Sequence, residues 1–194
     1  MDFSTVKQNL ERIGYQVSCF TTAADAAAYL DSQIDGATVG FGGSMTLKEM
    51  GLYERLSAHN QVYNHWNQGS LAAAAAAKIY LSSVNGLAQT GEIVNIDGNC
   101  NRVASTLYGH EKVYFVIGRN KLAPDFEGAL YRARNIAAPK NAQRLNKKTP
   151  CALRGDKCYD CKSPERICRA LTVLWQMPTG SRYEVVLIDE DLGY

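Results

Sequence analysis

This chain has few of the signals that usually announce a function. Histidine is scarce, and His59, His65 and His110 are the only three. No two of them stand at ligand spacing, and a lone histidine is more often packed or exposed than metal-bound. No apolar run approaches the roughly 18–20 residues that a membrane-spanning helix needs. The longest, LAAAAAAKIYL, is alanine-dominated and broken by Lys78. The opening MDFSTVKQNLERIGY is amphipathic and lacks the apolar stretch of a secretory leader, so a cytoplasmic protein is expected. There is no internal repeat and no low-complexity linker. Neither a G-x-G-x-x-G turn nor a Walker loop with its lysine occurs, so the cofactors that bind such loops are not indicated. Without zinc-finger spacing or an aromatic-interleaved RNA motif, nucleic acid is not an expected partner. No nucleophile, base and orienting group can be assembled by spacing, so catalytic residues and enzymatic activity itself stay unassigned.

What is present begins with enough chain for a real core. At 194 residues and 46% hydrophobic content, residues 1–194 are expected to form one domain that needs neither metal nor disulfide for its basic stability. The net charge of +2 hides an asymmetry. Residues 132–169 hold 11 Lys/Arg against 3 Asp/Glu, while the rest of the chain holds 10 against 16. Such a basic stretch attracts anions: a carboxylate, a phosphate, an acidic partner or a cluster of thiolates.

Helical and strand patterns alternate. Phe3, Val6, Leu10 and Ile13 mark one helical face that ends at Gly14, and YQVSCF follows as a strand. Thr22 with Asp25 caps an alanine-rich helix running to about Gln33. The strand ATVGF runs into GGSMT, where Thr46 and Glu49 predict a second capping box and a helix through Leu56. Strands are expected at QVYNHW, near 79–84, near 93–96 and at KVYFVI. Helices are expected over the alanine run, near 102–107, over 125–135 and, short and basic, after Pro139, and two strands close the chain at 171–175 and 183–188. The alternation argues for a layered α/β fold with a mostly parallel sheet flanked by helices.

Four cysteines carry the sharpest chemical signal. Cys151, Cys158, Cys161 and Cys168 follow C-x6-C-x2-C-x6-C within residues 150–169, and only Cys19 and Cys100 lie elsewhere. A C-x2-C turn aims two sulfurs at one point, so four thiolates this close can share a metal centre. The wide x6 spacers suit an iron–sulfur cluster, whereas structural zinc more often pairs two short knuckles. Zinc is the alternative, and disulfides or free thiols are a third reading. Cys100, in DGNCNR, reads as an inert thiol more readily than as an activated one.

Two further stretches could hold a small anion. In GFGGSMT, Gly40, Gly42 and Gly43 would let a phosphate or carboxylate approach the backbone, with Ser44 and Thr46 adding hydroxyls beside a helix start. Tight turning and ordinary capping explain the same residues equally well. In GEIVNIDGNCNR, Asp97, Asn99 and Asn101 suit a plain turn, but Asp97, Asn101 and Arg102 could also line a polar pocket. There Arg102 would pair a substrate carboxylate bidentately.

Taken together, GFGGSMTLKEMGL, TGEIVNIDGNCNRVA, VYFVIGRNK and RARNIAAPKNAQRL leading into TPCALRGDKCYDCKSPERIC resemble the LUD (lactate-utilisation) domain family. The likeness is to its lactate-utilisation protein C type, with the cysteine quartet added, and runs from about Val39 to the terminal DEDLGY. It implies an α/β fold similar to the NagB/RpiA/CoA-transferase-like proteins, with GFGGSMT where those enzymes hold phosphate. It also implies a part in lactate or related organic-acid utilisation, because some members belong to an iron–sulfur system that converts lactate to pyruvate. Others stand alone, and the family supplies no catalytic residue to carry over. The expectation is therefore a redox or electron-relay protein whose four clustered cysteines bind a 4Fe–4S iron–sulfur cluster, with a small anionic substrate and a redox protein partner. The alternative is an isomerase- or transferase-like enzyme acting on a phosphorylated or CoA-linked substrate, with a structural zinc.

Overall fold

The computed structural model describes residues 3–64, 66 and 70–194. Helix α1 (Ser4–Arg12) buries Val6 and Leu10, the expected face, and Gly14 ends it at φ +101°. Strand β1 (Gln16–Phe20) leads to α2 (Ala23–Gln33), opened by the Thr22 hydroxyl, which accepts from the Asp25 N–H at 3.1 Å. After β2 (Thr38–Phe41), the single helix expected through Leu56 is two: α3 (Met45–Glu49) and α4 (Leu52–Ser57). Gly51, at φ +62°, breaks them apart, a conformation that costs glycine nothing. The cap is Ser44 rather than Thr46; its hydroxyl accepts from the Leu47 N–H at 3.4 Å.

Strand β3 (Gln61–Asn64) is the described part of the expected QVYNHW strand, and His65 lies outside the described residues. Then come α5 (Leu71–Ala75), β4 (Ile79–Ser82), β5 (Gly86–Ala88), β6 (Ile93–Asp97), α6 (Asn101–Leu107), β7 (Lys112–Gly118) and β8 (Leu122–Ala123). Helix α7 (Phe126–Arg132) continues through a π-helical turn, Ala133–Ala137, into α8 (Ala138–Arg144). Pro139 accounts for the turn: proline brings no N–H and crowds the preceding carbonyls, and the widened register accommodates both. Helix α9 (Pro150–Arg154) opens the cysteine segment, and β9 (Ala170–Leu174) and β10 (Arg182–Ile188) follow it.

Six strands form a wholly parallel sheet in the order β1-β10-β7-β4-β2-β3. Both its faces are covered, so its central strands are apolar on both sides, as parallel strands must be. Along β7, Val113, Phe115 and Ile117 point to one core with α1, while Tyr114 and Val116 point to the other with α2, α3 and α4. The other four strands, β8-β5-β6-β9, make a second, mixed sheet against the first core, and α7 packs on it through Ala129 and Ala133. This second sheet departs from the expectation of one sheet. Only Ser83–Asn85 separate β4 from β5, too short a link for a parallel crossover, so the chain leaves the first sheet there.

Candidate functional site

In parallel α/β sheets, ligands sit beyond the carboxyl ends of the strands, where the connecting loops converge. Here a cavity of about 670 Å³ opens at that edge. Its floor is made by the loops after β2 (Gly43, Ser44), β4 (Ser83, Asn85) and β7 (Lys121), together with the terminal Tyr194. The end of β6 and the start of α6 bring Asp97, Asn101 and Arg102 to its side. Arg144 and Lys147, from α8 and the loop after it, and Arg166 and Arg169, from the cysteine segment, line the rest. The basic stretch thus faces this cavity, which favours an anionic occupant.

Of the expected anion-binding residues, Gly43, Ser44, Asp97, Asn101 and Arg102 line this cavity, and Gly42 and Thr46 do not. Gly42 faces a neighbouring cavity of about 440 Å³ rather than this one. Its N–H donates to the Leu81 carbonyl at 2.9 Å, and a Cβ on it would lie 3.0 Å from Arg102 Cγ, so its smallness serves packing. Gly40 is likewise filled against: a Cβ there would stand 2.3 Å from the Ala74 carbonyl of α5. Helix α3 has only five residues, so its start contributes little dipole for an anion. Thr46 is fully buried, and its hydroxyl donates to the Leu192 carbonyl at 3.1 Å.

Asp97 holds the loop together. One oxygen accepts from the N–H groups of Asn99 and Cys100, the other from Val103, which fixes the start of α6. Cys100 takes a left-handed conformation in that turn, at φ +65°. Arg102 is held from every side: it donates to Asn95 Oδ1 at 2.6 Å, Ile96 O at 2.7 Å, and Ser83 O and Asn85 Oδ1 at 3.2 Å each. Its terminal N–H groups are therefore committed, and its Nε lies 3.7 Å from Asp97 Oδ2, so the guanidinium is held by the protein rather than free for the bidentate substrate clamp expected of it. Arg132 is fixed in the same manner by the carbonyls of Asn120, Asn85 and Tyr194.

Between these two cations lies Lys121, which sequence reasoning missed. Its side chain is only 4% exposed, and Nζ donates to Thr46 Oγ1 at 2.9 Å and Ser83 Oγ at 3.1 Å. Burial, then repulsion from Arg132 and Arg102, pulls its pKa down to about 7, with Glu49 the one group that opposes them. The available signal was position: Lys121 stands three residues past Gly118, at the carboxyl end of the most apolar strand.

Across one wall lies a second cavity of about 330 Å³, lined by all four cysteines of the quartet. Every cysteine of the chain is a free thiol. The Asp160 N–H donates to Cys158 Sγ at 3.3 Å and an Arg166 N–H to Cys168 Sγ at 3.4 Å, while Cys151 Sγ lies 3.3 Å from the Thr149 hydroxyl. Arg134, from the π turn, approaches Cys158 Sγ at 3.8 Å. Arg166 also ties the segment together by donating to the carbonyls of Cys161 and Cys168. Arg134 and Arg166 thus bring two guanidiniums against the sulfurs. Among the described residues, no three His, Cys, Asp or Glu side chains converge tightly enough to hold a metal ion; the thiols ring the cavity instead.

His59 and His110 line neither cavity. His110 is buried, stacked on Tyr80 with centroids 4.7 Å apart, and its Nδ1–H donates to the Ala77 carbonyl. His59 lies on the surface between Asp31 and Asp35, each at 2.9 Å. No helix among the described residues is long and apolar enough to cross a membrane.

Fold and site together define an α/β protein with a cationic cavity at the carboxyl edge of a six-stranded parallel sheet and a cysteine-lined loop beside it. A profile of the LUD domain matches residues 4–188, and the chain belongs to that family. The crystal structure of a DUF162 family protein from Deinococcus radiodurans is similar, with a TM-score of 0.55 at 13% identity over 97% of this chain and 99% of that one. At that identity the likeness extends to the fold. Comparison with the curated proteins gives no match.

Proposed function

We propose that this LUD-domain protein acts in the utilisation of lactate or a related organic acid. In this reading the cationic cavity takes the acid, and Cys151, Cys158, Cys161 and Cys168 hold an iron–sulfur cluster in an electron-relay role. One observation carries the proposal: the two cavities share Ile96, Ala138, Arg166, Ile167 and Arg169 as a common wall. A redox centre on one side of that wall would be a side-chain layer away from an acid on the other.

The thiols suit a cluster better than a single zinc. Zinc needs its sulfurs about 2.3 Å from one point, and these thiols surround a cavity rather than a point. A cluster is a larger object, and hydrogen bonds to its sulfurs are among the features that set its potential. When bound it would supply one-electron transfer. The protein's own groups would do the rest: Arg144, Lys147 and Arg169 line the cavity and attract the carboxylate, and Ile96 and Ile167 stand in the wall between it and the cysteines. The same basic stretch offers a docking face to an acidic redox partner.

Anaerobically purified protein is expected to carry about four iron and four sulfide per chain. Cys158→Ala and Cys161→Ala should each lose both. Full retention of iron and sulfide in both variants would overturn the ligand assignment, and one zinc per chain in place of iron would overturn the redox role.

A further inference from the structure

A lysine in a cavity wall normally faces a carboxylate, and Lys121 does not. No Asp or Glu among the described residues lies within 4 Å of its nitrogen, and it is the only fully buried lysine among them. Its neighbours are two hydroxyls and, farther off, two arginines whose hydrogen bonds run mainly to neutral oxygens. The Thr46 hydroxyl gives its own proton to the Leu192 carbonyl, so toward Lys121 it can only accept. A neutral amine has two N–H donors and one lone pair, whereas an ammonium has three donors. The two hydroxyl oxygens match the two donors of the neutral form, and Lys121 lines the cavity. A pKa pulled to about 7 makes that form abundant at neutral pH. The terminal segment packs beside it: a Cβ on Gly193, at φ +63°, would stand 3.3 Å from Nζ, and Glu49 holds Gly193 by accepting its N–H at 2.7 Å.

We infer that Lys121 is a carbonyl-reactive amine that condenses with the keto group of a small 2-oxo acid in the cationic cavity. The inference rests on the reading of that cavity as an organic-acid site and adds a covalent step to it. The Nζ lone pair attacks the carbonyl carbon, and the carbonyl π electrons move to oxygen. The oxygen leaves as water with the two amine protons, giving C=N; no oxidant or reductant is consumed. Desolvated lysines beside other cations are the ones activated for this chemistry. Arg144 and Lys147 would hold the carboxylate while Ser83 and Thr46 orient the amine.

The test is trapping on the intact wild-type protein. It is incubated with pyruvate at neutral pH, reduced with borohydride, and mapped by peptide mass spectrometry, with pyruvate binding measured separately by calorimetry. The expected result is close to one reduced adduct per chain, on the Lys121 peptide, lost in Lys121→Arg of unchanged melting temperature. If pyruvate binds but no adduct forms, or adducts scatter over surface lysines, the covalent step is overturned and the acid site survives. If pyruvate does not bind at all, the acid-site reading falls as well.

Discussion

Lys121 shows how residue chemistry here is set by neighbours rather than by sequence context. An amine keeps its proton when water or a carboxylate stabilises the charge; Lys121 is buried, and the pull of Glu49 is outweighed by burial and by Arg132 and Arg102. Its depressed pKa has a consequence for stability. Below about pH 7 the folded and unfolded states both hold the proton, and the folded state carries the full cost of the buried charge. Between about 7 and the ordinary lysine value near 10.4, the unfolded chain binds more protons, so stability rises with pH. Urea titrations of wild type and Lys121→Met should therefore diverge. The wild type is expected to gain up to about 1.4 kcal/mol per pH unit relative to the variant in mid-window. Equal pH profiles would contradict the buried amine. The residue scale is also where sequence reading fell furthest short. GRNK reads as the end of a strand, and nothing in it announces that its lysine turns inward under Gly193. Arg102 was legible as important but not in its role, because its four partners come from Ser83, Asn85, Asn95 and Ile96, on segments that only the fold brings together.

At the scale of elements, close backbone approach decides where glycine is required. Gly86 on β5 lies under α7, and a Cβ there would meet the Ala129 carbonyl at 2.4 Å. Gly180 lies in the loop before β10 with nothing within 4 Å. Gly86→Ala is expected to cost about 3 kcal/mol, because backbone on both sides leaves no side chain to give way. Gly180→Ala should be neutral or stabilise by roughly 0.5 kcal/mol through the unfolded state. Chemical denaturation of the two variants separates them, and similar stabilities would contradict the tight α7 packing. Most elements were legible, since β7 and the Val185–Ile188 part of β10 are apolar on both faces and α1 repeats its apolar positions cleanly. The allocation of strands to two sheets was not, because ALTVL on β9 has the same pattern as a strand of the parallel sheet. The short 83–85 link was the available clue. The π turn was hidden for a related reason: Pro139 predicts an interruption, but not that the helix widens and carries on.

Across the whole molecule, two features distant in sequence come together. The glycine loop and β7 end supply the floor of one cavity, and the cysteine segment more than a hundred residues after the glycine loop supplies the neighbouring one. The quartet was legible because thiol spacing carries its own meaning. Its position beside the cationic cavity was not, since Arg166 and Arg169 belong to both walls only after β9 has joined the second sheet. Arg166 in particular donates to Cys168 Sγ while facing the cationic cavity, so charge arriving on one side alters the field on the other. The measurement that tests this account most directly is a reductive titration of the anaerobic protein, followed in its visible absorption, with and without pyruvate. The account predicts a coloured protein whose midpoint potential moves when pyruvate is present. A colourless zinc protein, or a coloured one whose midpoint ignores pyruvate at saturating concentration, would contradict it.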